Sequence, residues 1–95
     1  MKKTPDQICA EAHNVRFAVK RMPRNEAYVL IEGDKAAFEF LSKLFAAHAN
    51  FSRDCGFDIG PRGSGNSFFT RGAKLGLYLH RLPCIESKIP KKPAE

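Results

Sequence analysis

Apolar and polar positions change period several times along the chain, and each change marks an element. Val15, Phe17 and Val19 alternate with Arg16, Ala18 and Lys20, the two-residue period of a half-buried strand. Pro23-Arg24-Asn25 supplies a turn, and the apolar run from Ala27 to Ile31 makes the second arm of a predicted hairpin. After Gly33-Asp34 the period lengthens. Ala37, Leu41, Leu44, Phe45 and His48 recur at three- and four-residue spacing with Phe40 beside them, while Lys35, Glu39, Ser42, Lys43 and Ala46 fall opposite. This spacing predicts an amphipathic helix from about Lys35 to Asn50. Phe57 to Ile59 and Ser67 to Thr70 read as short strands. Leu75, Leu77 and Leu79 alternate with Gly76, Tyr78 and His80 in a last strand that Pro83 stops. Upstream of all these, Thr4-Pro5-Asp6-Gln7 carries a threonine cap, proline at the first helical position and glutamine at the capping-box position. A short helix from about Pro5 to His13 follows from it.

The sum is an α+β domain. It is expected to hold a small, mostly antiparallel sheet of four or five strands, since the connections are too short for parallel crossovers. The principal helix packs on one face and the short N-terminal helix precedes it. If Val15, Phe17, Val19, Leu75, Leu77 and Leu79 face that helix, then Arg16, Lys20, Lys74, Tyr78 and His80 face away, and Tyr28 joins them. Residues 1–84 form the domain. Residues 85–95, lysine- and proline-rich, are expected to be a mobile basic tail.

Composition narrows the function classes. The chain has 95 residues, enough for one modest core. Its formal charge is +6, but five of the sixteen bases and two of the ten acids lie at the two ends, which leaves eleven against eight in residues 4–84. A basic balance permits nucleic-acid or acidic partners without requiring them. No apolar run approaches a membrane span, and the N-terminus lacks the apolar stretch of a signal peptide. Three widely spaced cysteines argue against a disulfide framework, so the expected setting is the cytoplasm.

Gly60 to Ser67, GPRGSGNS, invites comparison with a phosphate-binding loop. Asn66 stands where such a loop needs its lysine, and the residues after it have strand character rather than opening a helix. The stretch therefore reads as a flexible turn, and no nucleotide is expected. Each cysteine has a histidine near it in sequence: Cys9 with His13, His48 with Cys55, His80 with Cys84. Structural zinc motifs usually show CxxC or HxxxH pairs, of which the chain has none, and isolated cysteines are commonly small buried hydrophobes. No metal, cofactor or catalytic residue is assigned, and the chain is not expected to be an enzyme. Whether the three pairs converge in space is left open by the sequence.

Binding is the remaining class. From Ile59 to Ile85 there is no acidic residue, while Arg62, Arg71, Lys74 and Arg81 are present. Arg16, Lys20, Tyr28, Arg62, Lys74, Tyr78 and His80 are the candidate binding residues. Aromatics among bases on a sheet stack nucleobases and hold phosphates, although RGAKLGLYL lacks the aromatic triplet of the RNA-recognition motif. The leading expectation is a non-catalytic module that binds a protein partner or a second copy of itself, with nucleic acid as the alternative. YVLIEGDKAAFEFLSKLFAAHA, a glycine-rich segment and LGLYLHRLP together resemble the small bacterial immunity proteins of polymorphic toxin systems over about residues 28–83. Phe57-Asp58-Ile59 departs from that family in lacking a histidine-bearing strand, and so does the basic charge. The resemblance implies a partner-binding protein without catalysis and assigns no site residue.

Overall fold

The computed structural model describes residues 3–51 and 55–84. The basic tail expected at residues 85–95 lies outside the described residues. Helix α1, Pro5–Glu11, begins as the sequence predicts: the Gln7 amide donates to Thr4 Oγ1 at 3.2 Å, and the Thr4 amide donates to Gln7 Oε1 at 2.8 Å. It ends before His13, so Cys9 and His13 do not share a helical face.

Strands β1 (Phe17–Arg21) and β2 (Val29–Gly33) form the predicted antiparallel hairpin, Phe17 opposite Gly33 and Arg21 opposite Val29. Asp34 then caps α2, Lys35–Asn50, its Oδ1 accepting from the Ala37 amide at 2.9 Å. Strands β3 (Gly56–Ile59) and β4 (Leu77–His80) make a second antiparallel pair, Gly56 opposite His80 and Ile59 opposite Leu77.

The fold is α+β, with two two-stranded antiparallel sheets in place of the expected single sheet of four or five strands. The cause lies in Ser67–Thr70. Instead of a strand, Asn66–Phe68 is one 3₁₀ turn, opened by Gly65 at φ +74°. The chain after it meets β1 through one parallel bridge, Phe69 to Phe17. It continues with hydrogen bonds from the Thr70 amide to Phe17 O at 2.9 Å and from the Leu75 amide to Val19 O at 2.9 Å. Residues 69–75 thus satisfy the second edge of β1 without regular strand geometry, which leaves β3 and β4 as a separate pair.

Covered in this way, β1 is not half-buried: Phe17, Ala18 and Val19 are all buried. They meet Ala37, Phe40, Leu41 and Leu44 of α2, together with Ile59, Phe68, Phe69 and Ala73. Aromatic rings knit the centre, Phe17 to Phe69 at 4.8 Å and Phe40 to Phe68 at 4.7 Å between centroids. Two expected core residues lie outside it. Phe45 sits with Phe38 on an exposed flank of α2, and Leu75 is exposed because residues 69–75 carry backbone rather than side chain to β1.

Candidate functional site

The seven candidate binding residues do not share one face, because the single sheet that would have aligned them is two. Arg62, Lys74 and Tyr78 come together around an open depression of about 390 Å³ where β3, the glycine loop and β4 meet. Asp58 lies in the same depression and offsets part of its charge. Lys20 is drawn to Glu32 on the neighbouring strand, at 3.8 Å. Arg16 lies just before β1 and Tyr28 just before β2, on the other sheet, and both are exposed. His80 is half-buried and belongs to a different cluster, described below.

The glycine loop turns on itself. The Gly60 amide donates to Ser64 O at 2.9 Å, that of Gly63 to Gly60 O at 3.3 Å and that of Asn66 to Gly63 O at 3.2 Å. Those N–H groups point inward, where a phosphate cradle would aim them at a ligand.

The more organised site lies at the end of α2. Two of the three cysteine–histidine pairs converge there. Cys55 opens the approach to β3, His80 ends β4, and Cys84 follows it; the ligating atoms of the three lie within 4.8 Å of one another. The structure joins Cys55 and Cys84 by a disulfide with 6.0 Å between Cα atoms, a bridge the cysteine count argued against. Cys9 remains a free thiol on α1.

His48, in the last turn of α2, borders this cluster. It is only 6% exposed, and neither ring nitrogen has a hydrogen-bond partner of good geometry. Nε2 of His80 is likewise buried without a partner. Burial lowers the His48 pKa below the usual imidazole value, and the Arg81 charge and His80 push the same way. A backbone interaction with Cys55 opposes them. Arg81 stitches the cluster together. Its amide donates to Cys55 O at 2.7 Å, and its Nη1 donates to the carbonyl of His48 at 2.6 Å. The short sequence spacings of His48–Cys55 and His80–Cys84 were the only signal of this site. They gave two pairs without saying that the pairs meet.

Fold and site together define a small α+β protein with a cysteine–histidine cluster joining its main helix to its second hairpin. No family model matches the chain, and comparison with curated proteins and with solved structures finds no match either. No helix among the described residues is long and apolar enough to cross a membrane.

Proposed function

We propose that the chain is a non-catalytic binding module whose β2 edge pairs with a strand of another protein chain, a second copy of itself being the simplest partner. The observation that carries this reading is the edge itself. β2 pairs with β1 on one side and with no other strand among the described residues. Apart from Glu32, which is drawn to Lys20 of β1 at 3.8 Å, β2 carries no charged residue and no proline, and its pairing to β1 runs without a bulge. Those are the devices by which natural sheets blunt an exposed edge. Tyr28 and Val29, each 59% exposed, place aromatic and β-branched surface beside it, as strand addition uses. A partner-binding role is also what the resemblance to immunity proteins implies.

Sedimentation equilibrium over a wide concentration range tests the reading, with the wild type beside Val29→Glu. Val29 faces Arg21 across the hairpin, so the carboxylate is tolerated in the monomer. Self-association lost in the variant supports edge pairing. A wild type that stays monomeric throughout removes the second copy and leaves a different protein as partner.

The second reading, nucleic-acid binding, rests on Arg62, Lys74 and Tyr78 around one depression. Oligonucleotide binding that survives physiological salt and drops in Lys74→Ala and Tyr78→Ala favours it; binding seen only at low salt is generic electrostatics. A cytoplasmic setting belongs to the same proposal, and it requires the Cys55–Cys84 pair to be reduced in the cell.

A further inference from the structure

We infer that Cys55, His80 and Cys84, with His48 as fourth ligand, form a structural zinc site when the two cysteines are thiols. The geometry carries this in three steps. First, three donors of the types zinc selects are already gathered: two sulfurs and an imidazole nitrogen, all within 4.8 Å of one another. Tetrahedral zinc with bonds of about 2.0–2.3 Å holds its donors about 3.3–3.8 Å apart, so once the S–S bond is open the three atoms reach bonding positions by side-chain adjustments of about an ångström.

Second, the neighbourhood contains buried imidazole nitrogens with no hydrogen-bond partner of good geometry, the Cys55 backbone being the group His48 lies against. His48 Nδ1, His48 Nε2 and His80 Nε2 are all buried without hydrogen-bond partners. Natural structures rarely leave such atoms unpaired, and a bound ion is one of the accepted ways to satisfy them. His48 belongs here by position: its ring interacts with His80 and lies against the Cys55 backbone. With one of its nitrogens on zinc, the other remains to donate to a backbone carbonyl, a usual second partner of a zinc-bound histidine.

Third, the charge balances. Two thiolates and two neutral imidazoles around Zn²⁺ give a neutral centre, which suits a half-buried site better than a lone pair of thiolates would. Three elements supply the ligands: the end of α2, the entry to β3, and β4 with the four residues beyond it. Such a centre ties the helix to the second hairpin, as structural zinc commonly does in domains too small for a large core. In sequence the ligands read His48-x6-Cys55 and His80-x3-Cys84. The second spacing falls within the range of zinc-finger half-sites, while the first is wider.

The bridge and the metal centre are alternative states of one cluster. A dithiol or phosphine reductant transfers two electrons to the Cys55–Cys84 bond and is itself oxidised. The S–S bond breaks, and each sulfur takes up a proton. Zn²⁺ then displaces those two protons as it binds the thiolates. A bridged cluster offers no thiolate and does not hold the metal.

The test compares one polypeptide in two states, full length and without mutation. Protein with the bridge intact and protein reduced with a phosphine are each titrated with Co²⁺, then Zn²⁺, and folding of both is checked by circular dichroism. The expected result is that reduced protein alone binds one Co²⁺, with the intense visible bands of tetrahedral cobalt and a thiolate-to-cobalt charge-transfer band, and that one Zn²⁺ displaces it. Cys84→Ser and His80→Ala each weaken zinc binding by about 100-fold or more, at least the upper end of what loss of a supporting residue costs. His48→Gln weakens it measurably and alters the cobalt bands. Reduced, folded protein without a thiolate-to-cobalt band, or the same affinity in Cys84→Ser as in the wild type, overturns the site. Unchanged affinity and unchanged cobalt bands in His48→Gln overturn the fourth ligand.

Discussion

The contact that organises the fold is the one between Phe17 on β1 and Phe69 just after the 3₁₀ turn, and a double-mutant cycle measures it. Both rings are buried, 0% and 6% exposed, with centroids 4.8 Å apart and planes inclined at 50°. Replacing either by alanine would cost about 3–5 kcal/mol, and both together would consume most of the roughly 5–14 kcal/mol available to a domain of this size. Leucine is the better probe. Phe17→Leu and Phe69→Leu keep the site apolar and each should cost about 1–2 kcal/mol through imperfect repacking. Each lowers the melting temperature by about 4–8 °C per kcal/mol. Phe17 also meets Phe40 at 6.2 Å, but that loss occurs in the single and double variants alike and cancels in the cycle. What remains is the ring–ring term, about 0.5–1.5 kcal/mol for an offset pair of this geometry. Urea denaturation followed by circular dichroism, without reductant so that the Cys55–Cys84 bridge is constant, gives all four stabilities. Costs that add to within about 0.3 kcal/mol would mean that the two rings do not touch, and the pairing of residues 69–75 along β1 would fall with them.

Three further outcomes are expected. A Cβ on Gly76 would lie 2.6 Å from Ile59 O and 2.8 Å from Gly60 Cα, so Gly76→Ala should destabilise by about 1–3 kcal/mol; Gly72→Ala, with nothing within 4 Å, should change stability by no more than about 0.5 kcal/mol in the same urea series. Asp34→Ala removes the cap of α2 and should cost about 1 kcal/mol, read from the same curves, with Asp34→Asn retaining most of it. Cys9 is partly buried, and burial first and the Asp6 carboxylate second raise its pKa. A raised thiol pKa means less thiolate at any pH below it, so iodoacetamide should label Cys9 of the bridged protein at pH 8 more slowly than it labels glutathione. The rate–pH curve should be displaced to higher pH, and Asp6→Asn should bring it partway back; labelling faster than glutathione would contradict the assignment.

What the sequence made legible was whatever depends on neighbours in the chain. The Thr4–Gln7 capping box, the β1–β2 hairpin and the bounds of α2 are all local, and the structure has them as the periodicity predicts. Ser67–Thr70 has strand propensity in Phe68 and Phe69 yet forms no strand. What decides their conformation is the left-handed Gly65 before them and the open edge of β1 that accepts their backbone. The same non-local edge explains Ala18: alternation assigned it to the outer face, but where β1 is covered along both edges and by a helix, from Phe17 to Val19, both faces are buried.

The cysteine–histidine cluster shows the limit most sharply. His48 belongs to a helix pattern, where it reads as the last member of the apolar stripe, and His80 belongs to a strand pattern, where it reads as facing solvent. Both readings treat each residue within its own element. In the structure the end of α2 and the end of β4 arrive at one place, and Arg81 holds them there by donating to the carbonyls of both His48 and Cys55. A periodicity argument cannot bring those two ends together, because neither spacing contains the other. Long-range backbone hydrogen bonding places the four side chains, and their chemistry becomes visible only once that placement is known.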